Sequence, residues 1–329
     1  MKPILLALVA LIASSCGLLS NSNTEDNFII RKYSVSLNKP IQETLFHRGK
    51  YYCLTNYGRL ICLTSKFQID TTITTLIDKE AFDFVYENAD SLIGGRYNGE
   101  NHYLGNDYAW RKHPNNIRLP ALYEDNAFTA YQCCAGEFGG GLFFHEKKTG
   151  HIYSIPATCA VAINKISSNY YVTTSLAHGS GFSKVLLIPN PTMLYNMDNP
   201  EVDTLKNYCN WADIVKSKNR EKYYDRAFAR KVFEKGSTTL LDSMGTMAVA
   251  SFIRNNKLYH LTTDFNHTTL AEIRNHAFVT LDTISNNAVW SYQPSLKNYP
   301  RMMIYSYSND KSSGFITISE DTITYVKFR

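Results

Sequence analysis

The chain has 329 residues, of which 44% are hydrophobic, 13% aromatic and 19% charged. That much apolar material excludes a disordered or fibrous protein, and a net charge of only +5, without dense Lys/Arg clusters, excludes a nucleic-acid partner. The 23 Tyr and 17 Phe against 10 Pro suit pleated, half-buried strands, so an all-β fold class is expected.

Lys2 is the only charge before an apolar run over residues 4–13, which Ser14, Ser15 and Cys16 follow. Crossing a bilayer takes ~20 apolar residues, so the run reads as the apolar core of an export signal. No later stretch is long enough to span either. Ala13-Ser14-Ser15-Cys16 resembles the lipobox of bacterial lipoproteins, with Ala13 in place of the commoner Leu. The thiol takes a diacylglyceryl group, and small residues before it fit the peptidase. The resemblance implies a signal peptide over residues 1–15 and acylation of Cys16 with palmitate-like chains. Each buried CH₂ contributes ~0.8 kcal/mol, so two or three chains hold far better than one. The alternative is an ordinary signal peptide with a cysteine near its cleavage site. Residues 16–27 are short and largely polar, and read as a flexible tether. The expected location is the cell envelope, at the outer membrane. Surface-exported lipoproteins of the Bacteroidetes carry acidic residues directly after the cysteine. Here Glu25 and Asp26 arrive late, which leaves the periplasmic and surface faces both open.

Residues 28–190 repeat one texture, in which aromatic and β-branched runs alternate with Asn, Gly, Ser and Asp turn clusters. The runs include 50–54 with 60–63, 143–145 with 152–155, and 170–174 with 185–188. The texture returns at 249–254 and 258–262, 278–281 and 288–292, then 302–307, 314–319 and 322–328. Degenerate self-similarity at 40–45 residues is the mark of propeller blades. About six units are expected, near 45–80, 85–120, 125–157, 160–190, 240–275 and 277–310, with 322–328 pairing beside 28–37 to close the ring. The arrangement resembles the six-bladed β-propellers common among Bacteroidetes lipoproteins, over residues 28–329. A pair of β-sandwiches is the alternative.

One region breaks the pattern. Asn210 can cap a helix whose Trp211, Ile214 and Val215 share a face, and Tyr224, Ala227, Phe228, Lys231 and Val232 form a second stripe before Gly236. A helical insertion is therefore expected at about 210–235, between the fourth and fifth units. It reads either as a docking surface or as a solvated helix packing its aromatics on the propeller.

No catalytic motif stands out. His178-Gly179-Ser180-Gly181 lacks the Gly-x-Ser-x-Gly pattern. Cys133 and Cys134 near His145, Glu146 and His151 lack zinc spacing, so no metal is expected. Nothing calls for a nucleotide, haem or flavin, and no cofactor is expected. Asp-Ser/Thr-apolar or Thr tripeptides place candidate O-glycosylation at Thr71, Ser91, Thr204, Ser243, Thr283 and Thr322. They resemble the sequon of exported Bacteroidetes proteins, and equally suit turns leading into strands. A two-residue turn at Tyr57-Gly58 would set Cys53 opposite Cys62, where a disulfide fits. A three-residue turn ending at Gly58 would instead set Cys53 opposite Ile61. The function expected is binding of an envelope protein or glycan through the loop face or channel. The alternative is a glycan-acting lyase or hydrolase on the same scaffold, because fold does not decide function.

Overall fold

A computed structural model describes residues 27–37, 39–88, 91–97, 100–113, 121–134, 136–197, 235–292 and 295–329. The first strand, β1 (Ile29–Val35), leads into blade 1, made of β2 (Ile41–His47), β3 (Lys50–Thr55) and β4 (Leu60–Leu63). Helix α1 (Thr71–Ile77) covers the edge of β4, and the Thr74 hydroxyl accepts the Cys62 amide at 3.1 Å. Blade 2 holds β5 (Phe84–Asn88), β6 (Ser91–Gly95), β7 (Asn101–Leu104) and β8 (Trp110–Lys112). Blade 3 holds β9 (Tyr123–Glu124), β10 (Phe128–Cys134), β11 (Gly140–Glu146) and β12 (Ile152–Pro156). Blade 4 starts with β13 (Ala160–Ile166), β14 (Asn169–Leu176) and β15 (Phe182–Ile188). The chain then lends β16 (Tyr195–Asn196) to the edge of blade 3 and returns to complete blade 4 with β17 (Thr238–Met244). Blade 5 is β18 (Met247–Arg254), β19 (Lys257–Thr263), β20 (Thr268–Arg274) and β21 (Ala277–Ser285). Blade 6 is β22 (Ser295–Tyr299), β23 (Met302–Asn309), β24 (Ser312–Ser319) and β25 (Thr322–Phe328). The fold is an all-β, six-bladed propeller, and the sandwich alternative falls away.

β1 closes the ring by pairing parallel to β25, from Ile29 opposite Thr322 to Val35 opposite Phe328. Its free edge carries exposed Arg31 and Lys32, charges that discourage further strand addition. Neighbouring strands within each blade are otherwise antiparallel, so each inner strand starts at the face bearing the blade-to-blade connections, here the upper face. It ends at the lower face.

Two unit boundaries differ from the sequence reading. β17 belongs to blade 4 and β21 to blade 5, so the fifth and sixth expected units were each set one strand too early. The segment after β16 therefore interrupts blade 4 between its third and fourth strands; it does not lie between the fourth and fifth blades. The helical insertion expected at about 210–235 lies outside the described residues except for Lys235, as do the expected signal peptide and nearly all of the tether. Residues 288–292, expected as a strand, run irregularly across the upper face.

Local chemistry sets the hairpins. Asn255 and Asn256 both take positive φ (49° and 60°), as a two-residue hairpin between Arg254 and Lys257 requires. At the β3–β4 turn, Thr55 pairs with Arg59, which leaves Asn56, Tyr57 and Gly58 as the loop. Gly58 has φ +75°, and a Cβ there would stand 2.8 Å from the Phe82 carbonyl, so only glycine fits.

Apolar clusters weld the blades pairwise. Tyr259, Tyr305, Tyr307 and Ile316 join blades 5 and 6, and Phe144, Tyr170 and Ile188 join blades 3 and 4. Leu45, Leu54 and Leu92 join blades 1 and 2, while Ile41, Phe315 and Val326 join blade 6 to blade 1. Between blades 4 and 5 the contact is polar. Ser251 Oγ receives hydrogen bonds from Asn164 Nδ2 (2.7 Å) and from Thr173 Oγ1 (2.8 Å).

Candidate functional site

The central channel is a concave feature that the fold builds from several blades at once. Three inner strands, β2, β13 and β18, carry a register shift near their start, between residues 41 and 43, 160 and 162, and 248 and 250. Such a bulge re-aims a side chain without ending the strand. On β2 it separates Ile41, which packs with blade 6, from Glu43 and Leu45, which meet blade 2.

Glu43 is buried on the channel wall and ties three blades together. Its Oε2 accepts the Val85 amide of blade 2 at 3.0 Å. Its Oε1 accepts the Ser295 hydroxyl at 2.9 Å and meets Lys297 Nζ at 2.5 Å, both from blade 6. Lys297 also donates to the Val85 carbonyl at 3.2 Å. Four residues lower on β2, His47 Nδ1 lies 2.8 Å from Glu87 Oε1, and the Phe46 amide donates to the Tyr299 hydroxyl at 2.7 Å. His47 Nε2 is buried and makes no hydrogen bond among the described residues. Burial raises the pKa of Tyr299, which stays protonated.

A further pair ties blade 3 to blade 4. Asp125 Oδ2 meets Lys165 Nζ at 2.6 Å and accepts the Tyr170 hydroxyl at 2.8 Å. Burial works to raise the Asp125 pKa, but Lys165, the Phe128 and Ala127 amides and Tyr170 together hold it below the usual carboxylate range. These acids and bases meet as satisfied pairs. The Glu43 and Asp125 carboxyls are both engaged within the protein.

Cavities open at both faces. At the lower face one of about 540 Å³ is lined among others by Asn164, Arg254, Tyr299, Arg301 and Glu320. At the upper mouth one of about 550 Å³ is lined among others by Gln132, Cys134, Val161, Val249, Tyr292 and Tyr305. The bulged residues Val161 and Val249 thus reach the mouth, and Tyr292 stands 70% exposed at its rim. A disulfide between Cys134 and Cys159 fastens blade 3 to blade 4 at this rim, with Cα atoms 4.4 Å apart.

The expected Cys53–Cys62 bridge is not present: both are buried free thiols. The three-residue turn sets Cys53 opposite Ile61 and Cys62 opposite Tyr52, so the thiols face opposite sides of the sheet. Burial pushes each thiol up to about 12. The Cys134–Cys159 bridge escaped sequence reading because six cysteines allow fifteen connectivities and these two share no hairpin. His145, Glu146 and His151 lie at the opposite end of β11 from Cys134. His178 sits in a turn, with its Nε2 3.1 Å from Glu137.

The candidate glycosylation residues fall in varied settings. Thr71 is exposed at the first position of α1, where Asp70 caps the helix by accepting the Ile73 amide at 3.0 Å. Thr283 is exposed on β21. Ser91, Ser243 and Thr322 are half-buried within β6, β17 and β25, and Thr204 lies outside the described residues, as does Cys16.

No family model matches the chain, and no curated protein matches it. Among solved structures it is similar to the computationally designed Ika8 protein, at 9% identity over 90% of this chain and 88% of that one, TM-score 0.39. It is also similar to BamB from Moraxella catarrhalis, at 8% identity over 82% and 71% of the two chains, TM-score 0.30. The N-terminal domain of Nup159 matches at 7% identity over 84% and 75%, TM-score 0.32. The six-bladed assignment rests on the chain's own strand order.

Proposed function

We propose that the protein is a lipid-anchored binding propeller of a bacterial cell envelope, held by acylated Cys16 and engaging an envelope protein or glycan at its upper mouth. The observation that carries the reading is the exposed aromatic rim of the upper mouth, at the face opposite the chain's entry. Glu43, Lys297, Asp125 and Lys165 tie blades together. The upper mouth presents a cavity of about 550 Å³ with an exposed aromatic rim, a volume within the range of ligand sites. Rigid, disulfide-fastened walls lower the ordering cost of binding.

The chain's entry point supports the same orientation. β1 runs from the lower to the upper face, and the Asn27 carbonyl receives Arg254 at 3.5 Å at the lower end of β18. A tether leaving from the lower rim turns the upper mouth away from the membrane. The test is photo-crosslinking in the envelope, with a photoreactive residue replacing Tyr292 in one strain and Glu320, at a lower-face turn, in another. Discrete adducts from position 292 alone are expected. Equal adducts from both, or none from 292, would overturn the reading.

A further inference from the structure

Blades 5 and 6 meet at the upper face along a second groove, of about 390 Å³. Phe265 and Trp290 supply ring surface in it, and Asn266, Asn286, Asn287 and Asp310 supply polar groups. The Trp290 ring lies 5.7 Å from Phe265 and 4.7 Å from Tyr292, both edge-to-face. Tyr292 also lines the channel mouth, so the three rings form one track from groove to channel.

The track is held rigidly. Phe265 sits in the left-handed region with φ +66°, in a loop braced on both sides. Asp264 Oδ1 accepts the Asn266 and His267 amides at 2.8 and 2.6 Å. The Thr263 hydroxyl accepts the Phe265 amide at 3.1 Å and donates to the His267 carbonyl at 2.7 Å. From blade 6, Asn309 Nδ2 donates to the carbonyls of Ala288 and Trp290 at 3.3 and 3.4 Å. Phe265 and Trp290 rest their inner surfaces on the apolar cluster of blades 5 and 6. By contrast, the exposed side-chain amides of Asn266 and Asn286 make no hydrogen bond to any described residue.

This lining selects a ligand class. Asp310 and Lys311 offset each other and His267 pairs with Asp264 at 3.3 Å, so no surplus cation awaits a phosphate or sulfate. An apolar ligand would leave unpaired any amide group it buries, which disfavours it. A sugar ring offers both an apolar C–H face for the aromatic rings and hydroxyls for the amides. We propose that the groove between blades 5 and 6 binds a neutral oligosaccharide, which follows Phe265, Trp290 and Tyr292 into the channel mouth. The inference rests on the upper face being the binding face.

The test is calorimetric titration of the full-length protein, purified in detergent. Probes are linear hexasaccharides of glucose, mannose, xylose and N-acetylglucosamine, with a sulfated hexasaccharide as the ionic control. At least one neutral probe is expected to bind, with Tyr292→Ala weakening it about tenfold and Asn286→Ala weakening it several-fold. Both residues are exposed, so neither substitution opens a core cavity, and an unchanged melting temperature checks this. The inference is overturned if no neutral probe binds at millimolar concentration, if both variants bind as the parent does, or if only the sulfated probe binds. Loss of sugar binding with retained crosslinks at position 292 removes this inference alone. Sugar binding without such crosslinks in the envelope removes the broader reading alone.

Discussion

His260 is fully buried on β19, its Nε2 3.4 Å from the Thr173 hydroxyl and its ring 5.2 Å from Phe278. Burial holds its pKa down to about 3, so the folded protein keeps it neutral while the unfolded chain protonates it near 6.5. The unfolded state therefore binds the extra proton between these values. Its contribution to stability is intact above about 6.5 and is lost as pH falls, by up to ~1.4 kcal/mol per pH unit. Urea unfolding of the wild type is expected to weaken from pH 6.5 to 5, with about 2 kcal/mol of the loss belonging to His260. His260→Gln should flatten the slope by that amount, and an equal slope in both would contradict the assignment. In the sequence, His260 is one letter within the run 258–262. That the blade 4–5 contact is polar depends on which inner strands meet, and this is invisible along the chain.

Strands and turns were the readable part. The runs at 50–54, 170–174 and 322–328 fold as β3, β14 and β25, because aromatic and β-branched residues bounded by turn chemistry fix strands locally. Ring closure by residues near 28–37 beside 322–328 was also readable, and β1 pairs there. The turn at Gly58 was less so: two- and three-residue loops share the same letters, and a one-residue slip moves every side chain to the other face. Blade 4 was divided wrongly because its fourth strand arrives after a long excursion. Yet the ends of that excursion are close, since a Cβ on Gly236 would stand 2.7 Å from the Met193 carbonyl carbon. Replacing residues 199–235 by a short Gly/Ser loop should thus leave a soluble, cooperatively melting β protein, as loop-closure cost varies slowly with length. The cut must spare β16 and the buried Leu194 and Met197. Loss of cooperative melting by circular dichroism would show that the excised segment is part of the core.

At the scale of the whole molecule, three features point the same way. The upper face gathers the cavity, the aromatic track and the Cys134–Cys159 bridge. Glu43, Lys297, Asp125 and Lys165 join blades, and residue 27 enters at the lower rim, beside Arg254. The aromatic track was not legible beforehand, because residues 288–292 read as a strand and only the ring places Trp290 and Tyr292 beside Phe265. The proposed orientation requires that the lower rim face a membrane. The most direct measurement is the distribution of the Cys16→Ser protein between membrane and soluble fractions after high-salt and carbonate washing. The account predicts that the wild type stays with the membrane, while Cys16→Ser is released or remains unprocessed. Retention of processed Cys16→Ser protein at the wild-type level would contradict it.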